Sequence, residues 1–402
     1  MKIKVYTVAA VLVLVPAPAA AASPSEWPQP GYGPGSTYYN PNESRLNAGT
    51  IDRIRERWKL PAHGPSRCET GADPVLAGGR LFTTDPGGIG AYDPATGARR
   101  WHLGLPRTTV RRLAIADGRL LMLSSECALP AEYESHLTAY DPATGRRLWA
   151  AGLAKFSYDM RIDRGTIALD SNQDGLASTI AYGVSDGRFR WLRRGDRGDG
   201  LVPAGGRVLL RGAGGGAMGV SIADGRTLWR TKNNWYAVGS DPAGTRFYVG
   251  GPGLSAVDAA TGRVLWASPL QAAEVTSDGR HVYFARARSV ECLDAATGHK
   301  LWSIHLHGVA GRPVRAGGLL YAANAANPDA ASPTNPDAAS PTNPDAASPA
   351  NPDAVGAATL AIVDAATGRP EKSGISGSVD HPAVVAGGRL FTTDGDELRA
   401  YY

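Results

Sequence analysis

A chain of 402 residues with 43% hydrophobic and 20% charged residues is globular, neither fibrous nor membrane-embedded. Its formal charge of +5 falls to +3 once Lys2 and Lys4 of the leader are set aside, and no basic run is longer than a pair such as Arg111-Arg112 or Arg193-Arg194. A nucleic-acid footprint would be a dense basic stripe, so no nucleic-acid partner is expected.

Residues 1–22 read as a signal peptide. Lys2 and Lys4 precede the apolar run from Val5 to Val15, and Ala20-Ala21-Ala22 supplies the small residues that a signal peptidase accepts, with Ser23 as the expected mature start. The run is too short to span a bilayer comfortably. The other reading is a retained N-terminal anchor. No Cys near the cleavage point suggests lipidation, and no other stretch approaches 18 uninterrupted apolar residues, so the mature chain is expected to be exported without a membrane span.

Residues 23–53 lead into the fold, and from residue 54 a pattern recurs. An apolar segment, a Gly turn, an alternating segment, a D-x-x-T-G turn and a Trp-bearing segment follow one another, as in "AYDPATGARRW" at 91–101 and "AYDPATGRRLW" at 139–149. Period-2 alternation between turn signals predicts short β-strands. In the turn, the Asp carboxylate accepts backbone N–H groups and Gly takes a positive φ. The turn glycines are Gly97, Gly145, Gly187, Gly225, Gly262, Gly298 and Gly368, and Trp101, Trp149, Trp191, Trp229, Trp266 and Trp302 stand four residues after the first six. The seventh copy has Lys372 there. A second series, from "AGGR" at 77 to "AGGR" at 386, marks eight preceding turns.

The termini account for the mismatch. "VVAGGRLFTTD" at 384–394 nearly repeats "VLAGGRLFTTD" at 75–85, yet the chain ends before a Trp strand, while "IRERWKLP" at 54–61 is an orphan Trp strand carrying Trp58. The expected fold is all-β: an eight-bladed β-propeller of four-stranded antiparallel blades over 54–402, ring-closed by that N-terminal strand. Closure protects the strand edges that an open array would expose. Residues 323–355, built on three copies of an eight-residue Pro-, Ala- and Asp-rich unit, are expected to form a disordered loop between the strands "LLYAAN" and "ATLAIVD".

The pattern A-x-D-x-x-T-G-x-x-x-W resembles the tryptophan-docking motif of the quinoprotein propellers, the pyrroloquinoline-quinone-like repeat family. Residues 91–101, 139–149 and 256–266 fit fully; Cys292 takes the Ala position of 292–302, and Gly183 and Ser221 take the Asp position of 181–191 and 219–229. The lead-in from Trp27 to Trp58 is similar as well. The resemblance implies the fold and a structural docking role for Trp58, Trp101, Trp149, Trp191, Trp229, Trp266 and Trp302. It allows two functions. The quinone-dependent dehydrogenases use pyrroloquinoline quinone with Ca²⁺, an Asp base and often an adjacent Cys-Cys disulfide; this chain has no adjacent cysteines and little room for a pocket of inserted loops. The noncatalytic members bind proteins in the envelope.

A binding face is expected where loops leave each Trp strand around the axial channel. Those loops carry Arg111, Arg112, Tyr158, Asp159, Arg161, Trp235, Tyr236, Arg312, Asp380 and His381. Trp235, outside the Trp column in "KNNWYAV", is singled out as an exposed ring to stack on a sugar or a partner side chain, or else as a plug of the channel mouth. His305 and His307 form an H-x-H pair that would need a third ligand to hold a metal. The Gly-rich "RGAGGGAMG" at 211–219 lacks the Lys of a phosphate-binding loop. The expectation is an exported, monomeric, noncatalytic module for another envelope or secreted protein or a glycan, with no cofactor; a reduced-size dehydrogenase using pyrroloquinoline quinone with Ca²⁺ is the alternative.

Three cysteines in an exported chain leave one unpaired. Cys292 at the docking Ala position is expected to be buried and free, and Cys68 and Cys127, in loops on the same face of adjacent blades, are expected to form a disulfide.

Overall fold

The computed structural model describes residues 26–62, 72–127, 134–153, 156–173, 176–325, 358–394 and 397–402. The signal peptide, Cys68 and all of the low-complexity insertion except residues 323–325 lie outside them; those three close the strand Leu319–Ala325.

Eight sheets, each built on antiparallel strands, form an eight-bladed propeller, and the lead-in strand Tyr39–Asn40 joins the seventh in parallel beside Val314–Ala316. The first blade runs Val75–Ala77, Arg80–Asp85, Gly88–Tyr92 and Arg99–Gly104. The others occupy 108–153, 157–194, 203–231, 236–268, 276–305, 309–377 and 384–401. In the last, Glu56–Pro61 pairs antiparallel with Glu397–Tyr401, Trp58 opposite Ala400, so the N-terminal strand closes the ring as expected. The first strand of a blade packs against that of the next, which puts these strands around the axis and the Trp strands outermost.

The D-x-x-T-G turn explains how blades join. Asp258 Oδ1 accepts the N–H groups of Ala260 and Thr261 at 3.0 and 2.8 Å and the Thr261 hydroxyl at 2.8 Å. These bonds hold the carboxyl below its ordinary range, chiefly through Thr261. The Gly262 N–H donates to the Asp258 carbonyl at 2.8 Å with φ +73°. Trp229 of the preceding blade lies flat on that glycine: a Cβ there would come within 2.6 Å of the ring. Its indole N–H donates to the Ala259 carbonyl at 3.0 Å.

The contact recurs around the ring. Trp58, Trp101, Trp149, Trp191, Trp266 and Trp302 cover Gly97, Gly145, Gly187, Gly225, Gly298 and Gly368. Trp101, Trp149, Trp191 and Trp266 donate to the carbonyls of Pro142, Val184, Ile222 and Ala295. The indole N–H groups of Trp58 and Trp302 have no acceptor among the described residues, and the Ala365 carbonyl beside Trp302 takes the Tyr283 hydroxyl. Where Lys372 replaces Trp, its ammonium caps the Asp52 carbonyl at 3.0 Å, in the short 3₁₀ turn Ile51–Arg53 before the closing strand. Where Gly183 and Ser221 replace Asp, Asp186 and Asp224 stand at the Thr position and accept the N–H of Arg188 and Arg226, the bond that Thr makes elsewhere.

The lead-in is part of the ring. Trp27 exchanges backbone bonds with Leu76, and the Pro28 carbonyl accepts the Ile115 N–H at 2.6 Å. The Gln29 amide reaches the Ile162 carbonyl, and the Ser240 hydroxyl donates to the Gly35 carbonyl. Thr37 and Tyr38 carbonyls accept from Ser277 and Arg315, and Asn40 donates to the Val385 carbonyl at 2.8 Å. A Cβ on Gly35 would lie 3.4 Å from the Pro203 carbonyl, so the segment reaches the innermost strand of every blade. It crosses the axis and closes one end of the channel. Trp27 is 1% exposed and Tyr38 6%.

Cys292 is buried and free, as expected. Gly262→Ala adds positive-φ strain to a ring clash, so it should cost about 2–4 kcal/mol, whereas Gly118→Ala, at a positive-φ turn with open space around it, should cost only about 1. Denaturant midpoints of the two variants check the difference.

Candidate functional site

The other end of the channel is an open funnel. Innermost strands begin there, and three carry bulges, one of them between Ala237 and Gly239. Pairing shifts between Val110 and Arg112, leaving Arg111 out of the ladder, and between Ser157 and Asp159, leaving out Tyr158. Such bulges kink the strand and re-aim its side chains. The cavity measures about 590 Å³ and includes Arg112, Tyr158, Asp159, Arg161, Tyr236, Arg312, Asp380 and His381 in its wall; Ser36 and Tyr38 of the lead-in also line it. Eight of the ten residues expected on the binding face therefore converge, on strand starts as well as loops.

Arg111 and Trp235 do not line it. Arg111 lies 4.3 Å over the Phe156 ring, with its Nε 3.3 Å from the Ser125 hydroxyl. Trp235 is 7% exposed and packs with Val202, Ala204, Ala237, Phe247 and Val249, which corrects the expectation of an exposed stacking ring. An indole beside two apolar blade faces gains more from burial than from water. The exposed residues of that segment are Lys232, Asn233 and Asn234, and Asn234 accepts the Gly216 N–H at 2.6 Å. The accessible aromatic in the funnel is Tyr158, half exposed and set against the edge of Phe156, while Tyr236 elsewhere in the wall is half-buried. His305 and His307 are exposed, and among the described residues no three His, Cys, Asp or Glu side chains are set to hold a metal.

Charge in the funnel is mostly paired. Asp159 Oδ1 accepts Arg112 Nε at 2.8 Å, Arg161 Nη1 at 2.7 Å and the Met160 N–H at 2.8 Å. Burial pushes its carboxyl up, but the two guanidinium groups win and hold it below the ordinary range. Arg112 is raised by Asp159 and Asp73 against its burial. His381 Nδ1 lies 3.0 Å from Asp73 Oδ1; desolvation lowers the imidazole, and Asp73 more than reverses this. Arg312 pairs with Glu274 at 2.8 Å and stacks 4.2 Å over Tyr38. Asp199 meets Arg211 at 3.0 Å and Arg197 at 3.3 Å. Asp170 has no such partner: burial, then Asp159 and Asp199, push its carboxyl up to about 6.

Sequence reasoning missed Asp73, Asp170, Asp199, Glu274 and the lead-in floor. Only Asp170 left a signal, a carboxylate inside the strand pattern "TIALDSNQ".

The titrating groups set a pH dependence. Asp170, raised when folded, adds stability below its unfolded value near 4, and that contribution is lost as pH rises through about 6. His381, also raised, adds stability below about 6.5 that is lost above its folded value. Both make the fold weaker between pH 5 and pH 8. Thermal midpoints of Asp170→Asn across that window should fall less steeply than those of the parent, most visibly around pH 6.

A family model described as outer membrane protein assembly factor BamB matches residues 48–149, 133–251 and 250–332. Three solved structures share the fold. BamB from Moraxella catarrhalis superposes with a TM-score of 0.57 at 15% identity, covering 87% of this chain and 97% of that one. The computationally designed Ika8 protein gives 0.59 at 12% identity over 85% and 99%, and the C-terminal WD40 domain of Sif2 gives 0.61 at 10% over 87% and 97%. At such identities the likeness is one of fold. No curated protein matches the chain in sequence.

Proposed function

The chain belongs to the outer membrane protein assembly factor BamB family, and from that premise we propose that it is an exported, noncatalytic and monomeric propeller that holds another envelope protein in its funnel. The observation that carries this reading is the family match across 48–332; the one-ended funnel supplies the surface. The signal-peptide reading of residues 1–22 supports export with Ser23 as the mature start, and no helix among the described residues is long and apolar enough to cross a membrane. The funnel chemistry suits a polar protein surface better than a quinone with Ca²⁺. Calcium needs converging carboxylate, carbonyl and amide oxygens, whereas Asp159 and Asp73 face guanidinium and imidazole groups and, among the described residues, no Asn or Gln lines the wall.

Replacing Tyr158 by a photo-cross-linking phenylalanine in living cells should give one discrete envelope-protein adduct, absent when the probe sits at exposed Phe189 on an outermost strand. Equal adducts from both positions would sink the reading, as would stoichiometric pyrroloquinoline quinone binding with Ca²⁺-dependent dye reduction.

A Cys68–Cys127 bridge belongs to the same proposal, since an oxidising compartment permits it. It would tie the ring-closing segment to the second blade and contribute roughly 4 kcal/mol in the chain-entropy account. Thiol labelling of denatured, unreduced protein should find one reactive Cys, and peptide mapping should join 68 to 127; three reactive thiols refute the bridge.

A further inference from the structure

The funnel contains a carboxylate, Asp170, that backbone N–H groups of Gly200 and Ser171 reach but no basic side chain answers. Each basic group in its wall is committed: Arg112 and Arg161 to Asp159, Arg312 to Glu274, and His381 to Asp73. Asp199 is met from behind the wall by Arg197 and Arg211. Asp170 is half-buried, flanked by the carboxylates of Asp159 and Asp199, with no ion pair among the described residues. A desolvated carboxylate in that position favours any cation that reaches it.

A second feature of the same cavity is independent of the acids. Ser36 is 3% exposed, and its Oγ is buried with no hydrogen-bond partner. Its backbone φ of +46° is unusual for a residue with a side chain, and it belongs to the lead-in that floors the funnel. Strained backbone of this kind persists where the surroundings over-determine it, and it clusters at binding sites. The hydroxyl has no partner within the fold, so an N–H group that reaches it finds an unused acceptor. The wall also presents Tyr158 and Tyr236, and aromatic faces attract cations.

We propose that the funnel receives a cationic side chain, arginine or lysine, projecting from the protein partner, with Asp170 as its counter-ion, the Ser36 hydroxyl as a hydrogen-bond acceptor and Tyr158 and Tyr236 as its aromatic flanks. This rests on the protein-binding reading above and names the chemistry that the partner brings. A planar guanidinium meets a carboxylate, a hydroxyl and a ring face at once through its edges and its face. Lysine offers the same charge as a point. An acidic side chain would meet Asp170 and Asp199 as like charges, and the guanidinium groups opposite are already engaged.

The test uses the mature full chain and single-residue probes, N-acetyl-argininamide and N-acetyl-lysinamide, against N-acetyl-glutamic acid amide as the opposite-charge control. Titration followed by calorimetry or by amide NMR shifts should show weak, saturable binding of the cations at the funnel and none of the control. Asp170→Asn should weaken it at least fivefold, and Tyr158→Ala, a half-exposed position where loss of folding is not at issue, should weaken it severalfold. Tighter binding of the glutamate probe, or cation affinity unchanged in both variants, overturns the proposal. The Tyr158 cross-link separates the two claims. A partner adduct that persists in Asp170→Asn while neither cation binds leaves the partner reading standing and removes this one; saturable, Asp170-dependent cation binding without any adduct keeps the site and removes the envelope partner.

Discussion

The contact on which the ring depends is an indole lying on a glycine that belongs to the next blade. A blade alone is a four-stranded sheet with two apolar faces and cannot bury both; it becomes stable by covering its neighbours. The indole supplies the area, and the positive-φ glycine supplies a flat landing with no Cβ, so ring and backbone meet in van der Waals contact. The Asp of the same turn holds the loop open at the right height by accepting its N–H groups. Each interface is therefore written twice, once in the Trp strand of one blade and once in the turn of the following one. The single junction without a Trp uses Lys372 on the carbonyl of Asp52, so a point charge on a helical turn replaces an apolar stack.

Eight such interfaces leave a channel, and the lead-in decides what the channel becomes. By crossing it and bonding to successive innermost strands, residues 26–40 turn a tube into a cup. The bulges at Arg111 and Tyr158 shape the rim, and acid–base pairs stiffen the wall. A cup lined with paired charge is well suited to polar recognition, because desolvation of its groups has been offset internally before any ligand arrives.

The fold was legible because its signals are local and periodic. Turn glycines, Trp four residues later and β-alternation all act within a dozen residues, and the orphan strand around Trp58 pointed to closure by simple deficit. The funnel was legible only in outline. Arg112, Asp159, Arg161, Tyr158, Tyr236, Arg312 and His381 were read from their place in the repeat, but which of them face the axis depends on single-residue bulges that no propensity encodes. Trp235 was misread because an aromatic off the repeat column looks unassigned, whereas the fifth blade needed it inward. The lead-in floor was invisible for another reason: its partners, such as Val385 for Asn40, lie as far as 345 positions away.

That separation sets a timetable for making the protein. The strand Glu56–Pro61 is synthesised early, and its ladder partner is the distant stretch 397–401. At ~5–20 residues per second, tens of seconds pass between the two. Throughout that interval Trp58 and an open strand edge have nothing to cover them, and the lead-in has its first docking sites but not its last. Blades can form in order as they emerge, yet the circle becomes one cooperative body only when the final five-residue strand is delivered. The strand 397–401, and not the one where the circle formally begins, is the checkpoint: without it a chain would carry every other strand of the ring and still be an open arc.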